Sequence, residues 1–391
     1  MRTTRRVAIG GAGALLLAGL GYRAWDRGAF SAGQGSAFEP WLEWRGNPAD
    51  GPKRALRAAI LAANPHDTQP WLFRAAGESI TVLADRSRNL GTFDPFRREM
   101  HLGVGAAVEN LMRAAAVFGY SMNVIIPGGR LTPSPGPEPV KAAHLWLDAA
   151  PAMRDRLFEA IPERHTNRGP YREQPLALGQ LRALADLISD NEVRVAFIVD
   201  PPARKEFAAM IVEATERIVA DPQMSADSAR WLRTGRREID AQRDGIGTDT
   251  AGLSLLMAAA SKMLPDLGAA NADRYWLGMT RDVQTIAPVL GLILVRDRLQ
   301  MGSAIAAGRA WQRLHLAATT MGIAAQPLNQ PVECADRNAM LGRPDVFAST
   351  LRQFARAPDW DATFAFRLGY AERPALASPR RPLDDVLIGD G

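Results

Sequence analysis

A short polar loop is the most distinctive chemical feature of the sequence. From Ala62 to Trp71 the chain reads Ala-Ala-Asn-Pro-His-Asp-Thr-Gln-Pro-Trp. The two prolines favour an extended loop from which the polar side chains between them can project. Amide, hydroxyl and imidazole groups of this kind can bind the edge of a polar heterocycle. The alternative is a capping loop in which Asn64 and Asp67 bond nearby backbone and Trp71 enters the core.

Two arginine-bearing segments could bind an anion. Residues 164–171 read Arg-His-Thr-Asn-Arg-Gly-Pro-Tyr, and residues 379–383 read Pro-Arg-Arg-Pro-Leu. Closely spaced guanidinium groups and small hydroxyl donors suit a phosphate. In the second segment, Arg380 and Arg381 are held between prolines and could meet the same phosphate. The alternatives are a charged helix terminus for the first segment and a solvated tail for the second.

The composition excludes several other kinds of site. The chain has 391 residues, of which 47% are hydrophobic and 23% charged, as in ordinary globular proteins. Its single cysteine excludes a disulfide framework and a thiolate metal cluster, and its five histidines form no His-Glu-x-x-His pattern. We therefore expect no metal. The net charge of +5 comes mostly from arginines spread along the chain, so we expect no nucleic-acid partner.

The N-terminus resembles a signal peptide. Arg5 and Arg6 precede an apolar run from Val7 to Tyr22, which is shorter than the ~20 residues of a membrane span. Paired arginines before such a run are typical of a twin-arginine (Tat) signal. The alternatives are a marginal membrane anchor or a start site assigned too early. We expect an export signal over 1–30, a linker over 31–50, and a protein that is periplasmic or membrane-anchored outside the cytoplasm, with membrane contact only through the signal.

Hydrophobic periodicity predicts an α+β fold. Apolar residues at helical spacing predict helices over 53–63, 104–118, 205–220 and 304–320. Short runs rich in β-branched and apolar residues predict strands over 79–84, 123–126, 144–147, 193–199, 289–295 and 363–368. The strands are too scattered for a regular Rossmann alternation.

Two of the predicted helices share a pattern of small residues. The first carries Gly105, Leu111, Ala114-Ala115 and Gly119, and the second carries Gly308, Leu314, Ala317-Ala318 and Gly322, always at the same separation. Small residues on one face let two helices approach closely, and each final glycine is a predicted C-terminal cap. The pattern predicts an internal duplication, with chance agreement between two Ala-rich helices as the alternative.

Taken together, these motifs resemble the nitroreductase-like flavoproteins. The loop ending in Gln-Pro-Trp looks like the Gln-Pro-Trp loop of that family, and Arg-His-Thr-Asn-Arg is similar to its basic FMN-phosphate motif. Ala324-Ala325-Gln326-Pro327 is similar to the family's segment beside the flavin ring. Leu-Gly-Tyr followed by Pro-Arg-Arg-Pro-Leu resembles its C-terminal phosphate-binding tail. The resemblance covers most of residues 50 to 390.

The order of the motifs departs from the ordinary family, in which the basic motif comes first. Here it follows the Gln-Pro-Trp loop by about a hundred positions. Together with the helix repeat, this order resembles the Acg-type branch, in which one polypeptide imitates the usual homodimer. The resemblance implies a nitroreductase-like α+β fold with a partial first half over 51–150 and a second half over 151–391. It also implies a monomer that binds one FMN.

The resemblance further implies a cofactor site divided between the halves. The second half is assigned to the phosphate, the first half to the ring or ribityl chain, and two backbone groups to the reactive edge of the flavin. His66 is also the candidate for catalytic proton delivery. The implied cofactor-binding residues are Arg164, His165, Thr166, Arg168, Arg380 and Arg381 for the phosphate, Asn64, His66, Thr68 and Gln69 for the ring or ribityl chain, and Ala324 and Ala325 for the reactive edge.

Two functions follow from the resemblance. One is an FMN-dependent oxidoreductase that takes electrons from a small-molecule donor and passes them to a nitro, quinone or similar acceptor. The family's usual donor is NAD(P)H, which an exported protein would meet rarely. The alternative is an FMN-sequestering, storage or redox-sensing protein with little turnover, in which residues 225–267 form a lid rather than an ordinary amphipathic helix pair. A flavin-free interaction protein is disfavoured by the intact arginine motifs.

Overall fold

A computed structural model describes residues 18–188, 191–264 and 268–389. Its strands form two four-stranded antiparallel sheets, with strand orders β1-β2-β4-β3 and β5-β8-β10-β9, and one short parallel pair, β6-β7. The strands are β1 (Trp71–Ala76), β2 (Ser79–Ala84), β3 (Tyr120–Ile125), β4 (Val140–Ala149), β5 (Val193–Ile198), β6 (Leu232–Arg233), β7 (Ile246–Gly247), β8 (Val289–Val295), β9 (Ala324–Pro327) and β10 (Asp361–Gly369).

The helices pack around these two sheets. The first sheet packs on α3, and the second lies between α11 on one face and α6, α12 and α13 on the other. The helices are α1 (Glu39–Leu42), α2 (Ala55–Ala59), α3 (Arg98–Val117), α4 (Arg156–Glu159), α5 (Leu178–Asp186), α6 (Pro201–Ala220), α7 (Pro222–Ala229), α8 (Arg236–Gln242), α9 (Leu255–Met263), α10 (Gly268–Met279), α11 (Met301–Thr320), α12 (Gln330–Met340) and α13 (Val346–Ala355).

The two sheets are built on one plan. In each half, the second strand of the sheet order precedes a long helix (β2 before α3, β8 before α11), and the strand after that helix lies at the sheet edge (β3 and β9). The two strand orders match position by position when the long helices are equated. Gly119 and Gly322 end the two helices with φ values of 88° and 69°. The predicted α+β fold with two half-repeats is confirmed.

The long helices cross with their backbones in contact. A Cβ atom on Gly105 would lie 2.2 Å from the carbonyl oxygen of Ile305, and one on Gly308 would lie 2.0 Å from the carbonyl oxygen of Leu102. The shift that takes Gly105 to Gly308 also takes Leu102 to Ile305, so each contact is the symmetry mate of the other. Such self-complementary pairing is the geometry of a two-fold dimer interface. In this chain the interface lies within one polypeptide.

The same pseudo-two-fold relation holds for the polar contacts of the crossing. The Gln312 amide donates to Asn110 at 2.8 Å, and the Arg313 guanidinium donates to Glu109 at 2.9 Å. Under the helix repeat, Glu109 corresponds to Gln312 and Asn110 to Arg313. The two contacts therefore occupy equivalent positions, but one is an amide pair and the other is an ionic pair.

One predicted helix, over residues 53–63, needs correction. The structure matches the predicted strands over 79–84 and 289–295, whereas the helix predicted over 53–63 is a 3₁₀ segment over Pro48–Arg54 followed by the short α2. After α2 the chain continues in tighter turns, in which the N–H groups of Leu61 and Ala62 bond the carbonyls of Ala58 and Ala59. Other elements bond the same stretch: the Asn110 side-chain amide donates to the Ala58 carbonyl, and the backbone N–H of Ala63 donates to the Gln312 side chain. Tertiary hydrogen bonds thus override the local helical pattern.

The C-terminal tail returns to the first half. It runs beside β1, where the backbone of Phe73 bonds Val386 and Ile388 at 2.8 Å each. Further back, the N–H of Arg380 donates to the Ala37 carbonyl at 2.7 Å. The tail therefore carries Arg380 from the second half onto the first.

Most of the predicted export signal lies outside the described residues. Residues 18–26 are helical and join α9 through Arg23, whose Nε donates to the Met263 carbonyl at 3.0 Å. No described helix combines the length and the apolar character needed to cross a bilayer.

Candidate functional site

Two neighbouring cavities lie at the junction of the halves. The main cavity has a volume of about 250 Å³ and the small cavity about 40 Å³. Both are lined by residues of the polar loop and of the Arg-His-Thr-Asn-Arg segment, so they share a wall. The shared lining residues are Ala63, Asn64, Thr166, Arg168 and Ile246.

Three arginines surround the small cavity. Arg164, Arg168 and Arg380 line it together with a single acidic side chain, that of Asp67. His165 also lines it, but burial and then the charge of Arg164 lower the pKa of its imidazole to about 3, so the ring is neutral. The cavity therefore carries excess positive charge. Because buried charges are costly unless they are paired, this arrangement favours a bound anion.

Arg164 is buried, and none of the described carboxylates forms an ion pair with it. One Nη donates to the Leu61 carbonyl at 3.1 Å and the other lies 3.5 Å from His315 Nδ1. Its Nε has no hydrogen-bond partner among the described residues. Burial and the neighbouring Arg380 lower the pKa of this guanidinium to about 9, so it stays protonated at neutral pH. A donor is therefore available for a ligand.

Arg168 and Arg380 complete the cluster. Arg168 donates to the Thr250 carbonyl at 3.1 Å, and no carboxylate in the described part of the chain forms an ion pair with it. Arg380 pairs with Asp67, and its Nε lacks a partner among the described residues. Burial raises the pKa of Asp67 to about 6, against the opposing effect of Arg380. One carboxylate thus faces three cations, two of which have an unused Nε–H.

Three residues of the polar loop have strained backbone conformations. His66, Asp67 and Gln69 have φ values of 48°, 54° and 48°, a region in which each non-glycine residue costs about 1–3 kcal/mol. The side-chain oxygen Oδ1 of Asn64 accepts from the backbone N–H of Gln69 at 2.8 Å. The Gln69 side-chain amide donates to the backbone carbonyl of Arg243 and accepts from the backbone N–H of Arg381, at 2.8 Å each. Local bonding and a cavity-lining role therefore coexist in this loop.

His66 faces the main cavity as a neutral ring. Its Nε2 lies 2.9 Å from Ser228 Oγ, and its ring meets Phe93 edge-on at 4.9 Å. Burial, followed by the charge of Arg168, lowers the pKa of this imidazole to about 3. At neutral pH it has no imidazolium proton to give, and its predicted role in proton delivery would require it to act as a relay.

Several predicted site residues do not line either cavity. Thr68 and Gln69 belong to the loop but have buried side chains, and the Arg381 guanidinium donates to the Asp385 carbonyl at 2.7 Å. Ala324 and Ala325 pair with β10 in the sheet, and the Ala325 carbonyl accepts from the Asn167 N–H. The corresponding wall of the main cavity consists of the next residues in the chain, namely Gln326, Pro327, Asn329 and Gln330.

Part of the wall of the main cavity is formed by a group of residues here called the cover. The cover consists of α10 and of residues 225–251, the first part of the predicted lid segment. Tyr275 in α10 donates its hydroxyl to the Ala251 carbonyl at 3.1 Å, and burial raises the pKa of this phenol to about 12. The lid predicted over 225–267 thus contributes to the cavity wall, although its last three residues lie outside the described part. The cover residues that line the cavity are Ser228, Ala229, Leu232, Ile246, Ala251, Ala272, Asp273, Tyr275, Trp276 and Met279.

Sequence reasoning missed a buried carboxyl pair in the wall of the main cavity. Glu99, in the first turn of α3, and Glu333, in the first turn of α12, both line the cavity, and each side chain is about one-twentieth exposed. Each carboxyl group is close enough to the other to shift its pKa. Burial is the largest cause that raises the pKa of Glu99 to about 7 and that of Glu333 well above its ordinary value. No local motif signals this pair, because its members come from different halves.

Comparisons with known proteins give the family resemblance independently of this geometry. No protein-family model matches the chain. It is 27% identical over 355 residues to "Putative NAD(P)H nitroreductase acg" of Mycobacterium tuberculosis, a match that covers 85% of this chain and 94% of that protein. It is 26% identical over 353 residues to "Putative NAD(P)H nitroreductase Rv3131" of the same organism, with coverages of 86% and 90%.

Among solved structures, the FMN-dependent nitroreductase NfnB from Mycobacterium smegmatis, solved in complex with NADPH, aligns at 18% identity and a TM-score of 0.39. That alignment covers 60% of this chain and 98% of NfnB. The curated relatives match along most of both chains, so the resemblance drawn from the motifs is confirmed: over most of its length the chain is similar to proteins named as putative NAD(P)H nitroreductases.

Proposed function

We propose that the chain binds one FMN at the junction of its halves and works as an oxidoreductase. The observation that carries this proposal is the small cavity, where one carboxylate faces three guanidinium groups and two Nε–H donors have no partner among the described residues. A phosphate monoester carries about −1.5 to −2 charges at neutral pH and offers three acceptor oxygens. It would balance the charge of this cluster and use its free donors.

The residues present fit the rest of the cofactor. Arg164, Arg168 and Arg380 would hold the phosphate, and the shared wall of Asn64 and Thr166 would receive the polar chain between phosphate and ring. The main cavity beyond this wall has a largely apolar lining that includes aromatic rings, which suits a flat ring system. When bound, the flavin supplies hydride and electron transfer. The protein binds it, orients it and excludes water.

The names of the relatives support a reductase that uses NAD(P)H, and the neighbouring structure NfnB is named as FMN-dependent. We propose a small-molecule electron donor and a nitro, quinone or similar flat acceptor for this chain. We further propose that the protein is exported, periplasmic or membrane-anchored, as its N-terminal sequence predicts. A single chain would supply both halves of the site and so replace the usual homodimer.

The test is flavin content followed by reduction. The full-length protein with Arg5→Lys and Arg6→Lys, which should keep it in the cytoplasm, is purified after expression with ample riboflavin. We expect about one FMN per chain and bleaching of its visible absorbance when NADPH is added without oxygen. Two flavins per chain, or none after reconstitution with FMN, would refute the proposed cofactor site.

An FMN-holding protein with little turnover is the second candidate. The observation that favours it is the cover, which places α10 and part of the segment over 225–251 across the main cavity. This candidate predicts that FMN remains bound while NADPH and other two-electron donors reduce it slowly. Rapid reduction by NADPH, with steady turnover of an added quinone, would exclude it.

A further inference from the structure

We propose that Glu99 and Glu333 share one proton and donate it to an oxygen of the acceptor that is reduced in the main cavity. The inference rests on the proposed function, since it assumes that a flat two-electron acceptor enters this cavity. It assigns a proton donor and favours acceptors that carry a carbonyl or nitro oxygen.

The geometry of the pair leaves acceptor atoms free beside the cavity. Glu99 Oε1 accepts from Asn329 Nδ2 at 2.9 Å and from an Arg98 Nη at 3.2 Å. Glu333 Oε2 has no hydrogen-bond partner among the described residues, and neither has the amide oxygen of Gln330, a residue one turn away that is only 4% exposed. Two buried oxygen atoms in the same wall thus lack a protein partner. A ligand or a carboxyl proton would satisfy them.

The surrounding charges do not allow both carboxyl groups to ionise easily. Arg98 is the cation that contacts Glu99, but it also pairs with Asp336 at 2.5 Å. Asp94 and Asp336 face the pair as further carboxylates. Asp336 is paired with Arg298 at 2.9 Å as well as with Arg98, and Asp94 caps the first turn of α3. Two adjacent carboxyl groups in such surroundings hold one proton between them. The raised pKa values of both groups agree with this charge balance.

The proton completes a two-electron reduction. A quinone that has gained a hydride, in the proposed function from reduced flavin, is a hydroquinone monoanion that needs one proton. The O–H bond of the shared carboxyl breaks, its electron pair stays on the carboxylate, and the proton forms a new O–H bond on the quinone oxygen. The product is a neutral hydroquinone, and the pair regains its proton from solvent. General acids in such a position accelerate reactions by about 10²–10⁴-fold.

The first test needs no cofactor or turnover. The infrared carboxylic-acid C=O band of the full-length apoprotein is recorded between pH 5 and pH 9. We expect a buried carboxylic-acid band at pH 7 that is lost or shifted in both Glu99→Gln and Glu333→Gln. The matched control is Glu109→Gln, which removes another buried glutamate of α3 that lines neither cavity. A wild-type protein with no such band at pH 7, or a band unchanged in both variants, would overturn the shared proton.

The second test separates proton transfer from cofactor binding. Flavin content, the rate of flavin reduction, and the rate of reoxidation by menadione are measured for the wild type and the three variants. In the wild type we expect reoxidation to slow at alkaline pH, where the pair loses its last proton and has none to donate. Glu333→Gln should keep its flavin and its reduction rate, reoxidise at least tenfold more slowly at pH 6, and lose the pH dependence.

The outcomes distinguish this inference from the proposed function. Wild-type reoxidation by menadione that is fast and insensitive to pH, or a Glu333→Gln variant that keeps the wild-type rate and pH profile, would overturn the proton donor while leaving FMN binding intact. A wild-type protein that binds no FMN would refute the proposed function and with it the donor role. If Glu333→Gln fails to fold, the reoxidation rate of Glu99→Gln and the pH profile of the wild type test the same proton donor.

Discussion

The crossing of α3 and α11 gives a stability prediction whose size follows from the structure. Replacing Gly308 by alanine puts a Cβ atom 2.0 Å from the carbonyl oxygen of Leu102 and within 2.8 Å of its carbonyl carbon and Cα. These are backbone atoms of a buried helix, so no side-chain rotation relieves the overlap. The helices must separate by about 1 Å along a close-packed contact.

The expected loss combines two opposing effects. Overpacking a core costs typically about 1–3 kcal/mol, and we expect the upper end because a whole helix must move. The greater helix propensity of alanine returns about 1 kcal/mol. Gly308→Ala should therefore lower the free energy of unfolding by about 2 kcal/mol. Leu102 also lines the main cavity, so the same variant should retain less FMN.

The assay is chemical denaturation followed by circular dichroism, with Gly302→Ala as the matched control. Gly302 lies in the same helix, and a Cβ atom there would meet nothing within 4 Å. The control should be unchanged or more stable by up to about 1 kcal/mol. Equal stability of the two variants would refute the claim that the helices cross with their backbones in contact.

Three further predictions concern the charges of the site. Arg168→Met should weaken FMN binding tenfold or more by equilibrium dialysis, since one charged hydrogen bond contributes about 1.5–3 kcal/mol, whereas Arg217→Met at an exposed position should bind FMN like the wild type. Because folding raises the pKa of Asp67 from 3.8 to about 6, this group stabilises the apoprotein fully below pH 4 and loses that contribution as the pH rises through 6. Asp67→Asn should flatten the stability profile over this range, and an unchanged slope would contradict the burial of the carboxyl group. NMR of His66 should show a neutral ring at pH 5, and an imidazolium signal there would contradict the lowered pKa.

Local patterns in the sequence were enough to predict several of the regular elements. β2 and β8 have the predicted limits because their apolar runs are bounded by clear turn residues. The repeat anchored by Gly105 and Gly308 could be read directly, because a close helix crossing admits no larger residue at those positions. The helix predicted over 53–63 was wrong because side chains from α3 and α11 bond the backbone where the helical turns would continue.

The candidate site was predictable only where its residues lie in compact motifs. The small cavity brings together Arg164, His165, Thr166, Arg168 and Arg380 from two such motifs. By contrast, Glu99 and Glu333 come from helices that are far apart in the chain, and their shared proton depends on burial. Spacing in the sequence contains no information on that burial. The assignment of Ala324 and Ala325 shows a related limit, since the cavity is lined by Gln326 and Pro327, the next two residues of the same strand.

The polar contacts at the helix crossing have a consequence for assembly. A homodimer must repeat every interface pair on both sides of its axis, whereas this chain has an ionic pair, Glu109 with Arg313, on one side and an amide pair, Asn110 with Gln312, on the other. Two copies of the first half would set Glu109 against Asn110 twice, and each buried carboxylate would lose its arginine partners on α11. The differences between the two repeats therefore destabilise a dimer of like halves and favour pairing of the two halves of the same chain. Because the two halves are fused, the two sides of the interface do not have to carry identical residues. Their different residues make each half pair with the other half rather than with a copy of itself.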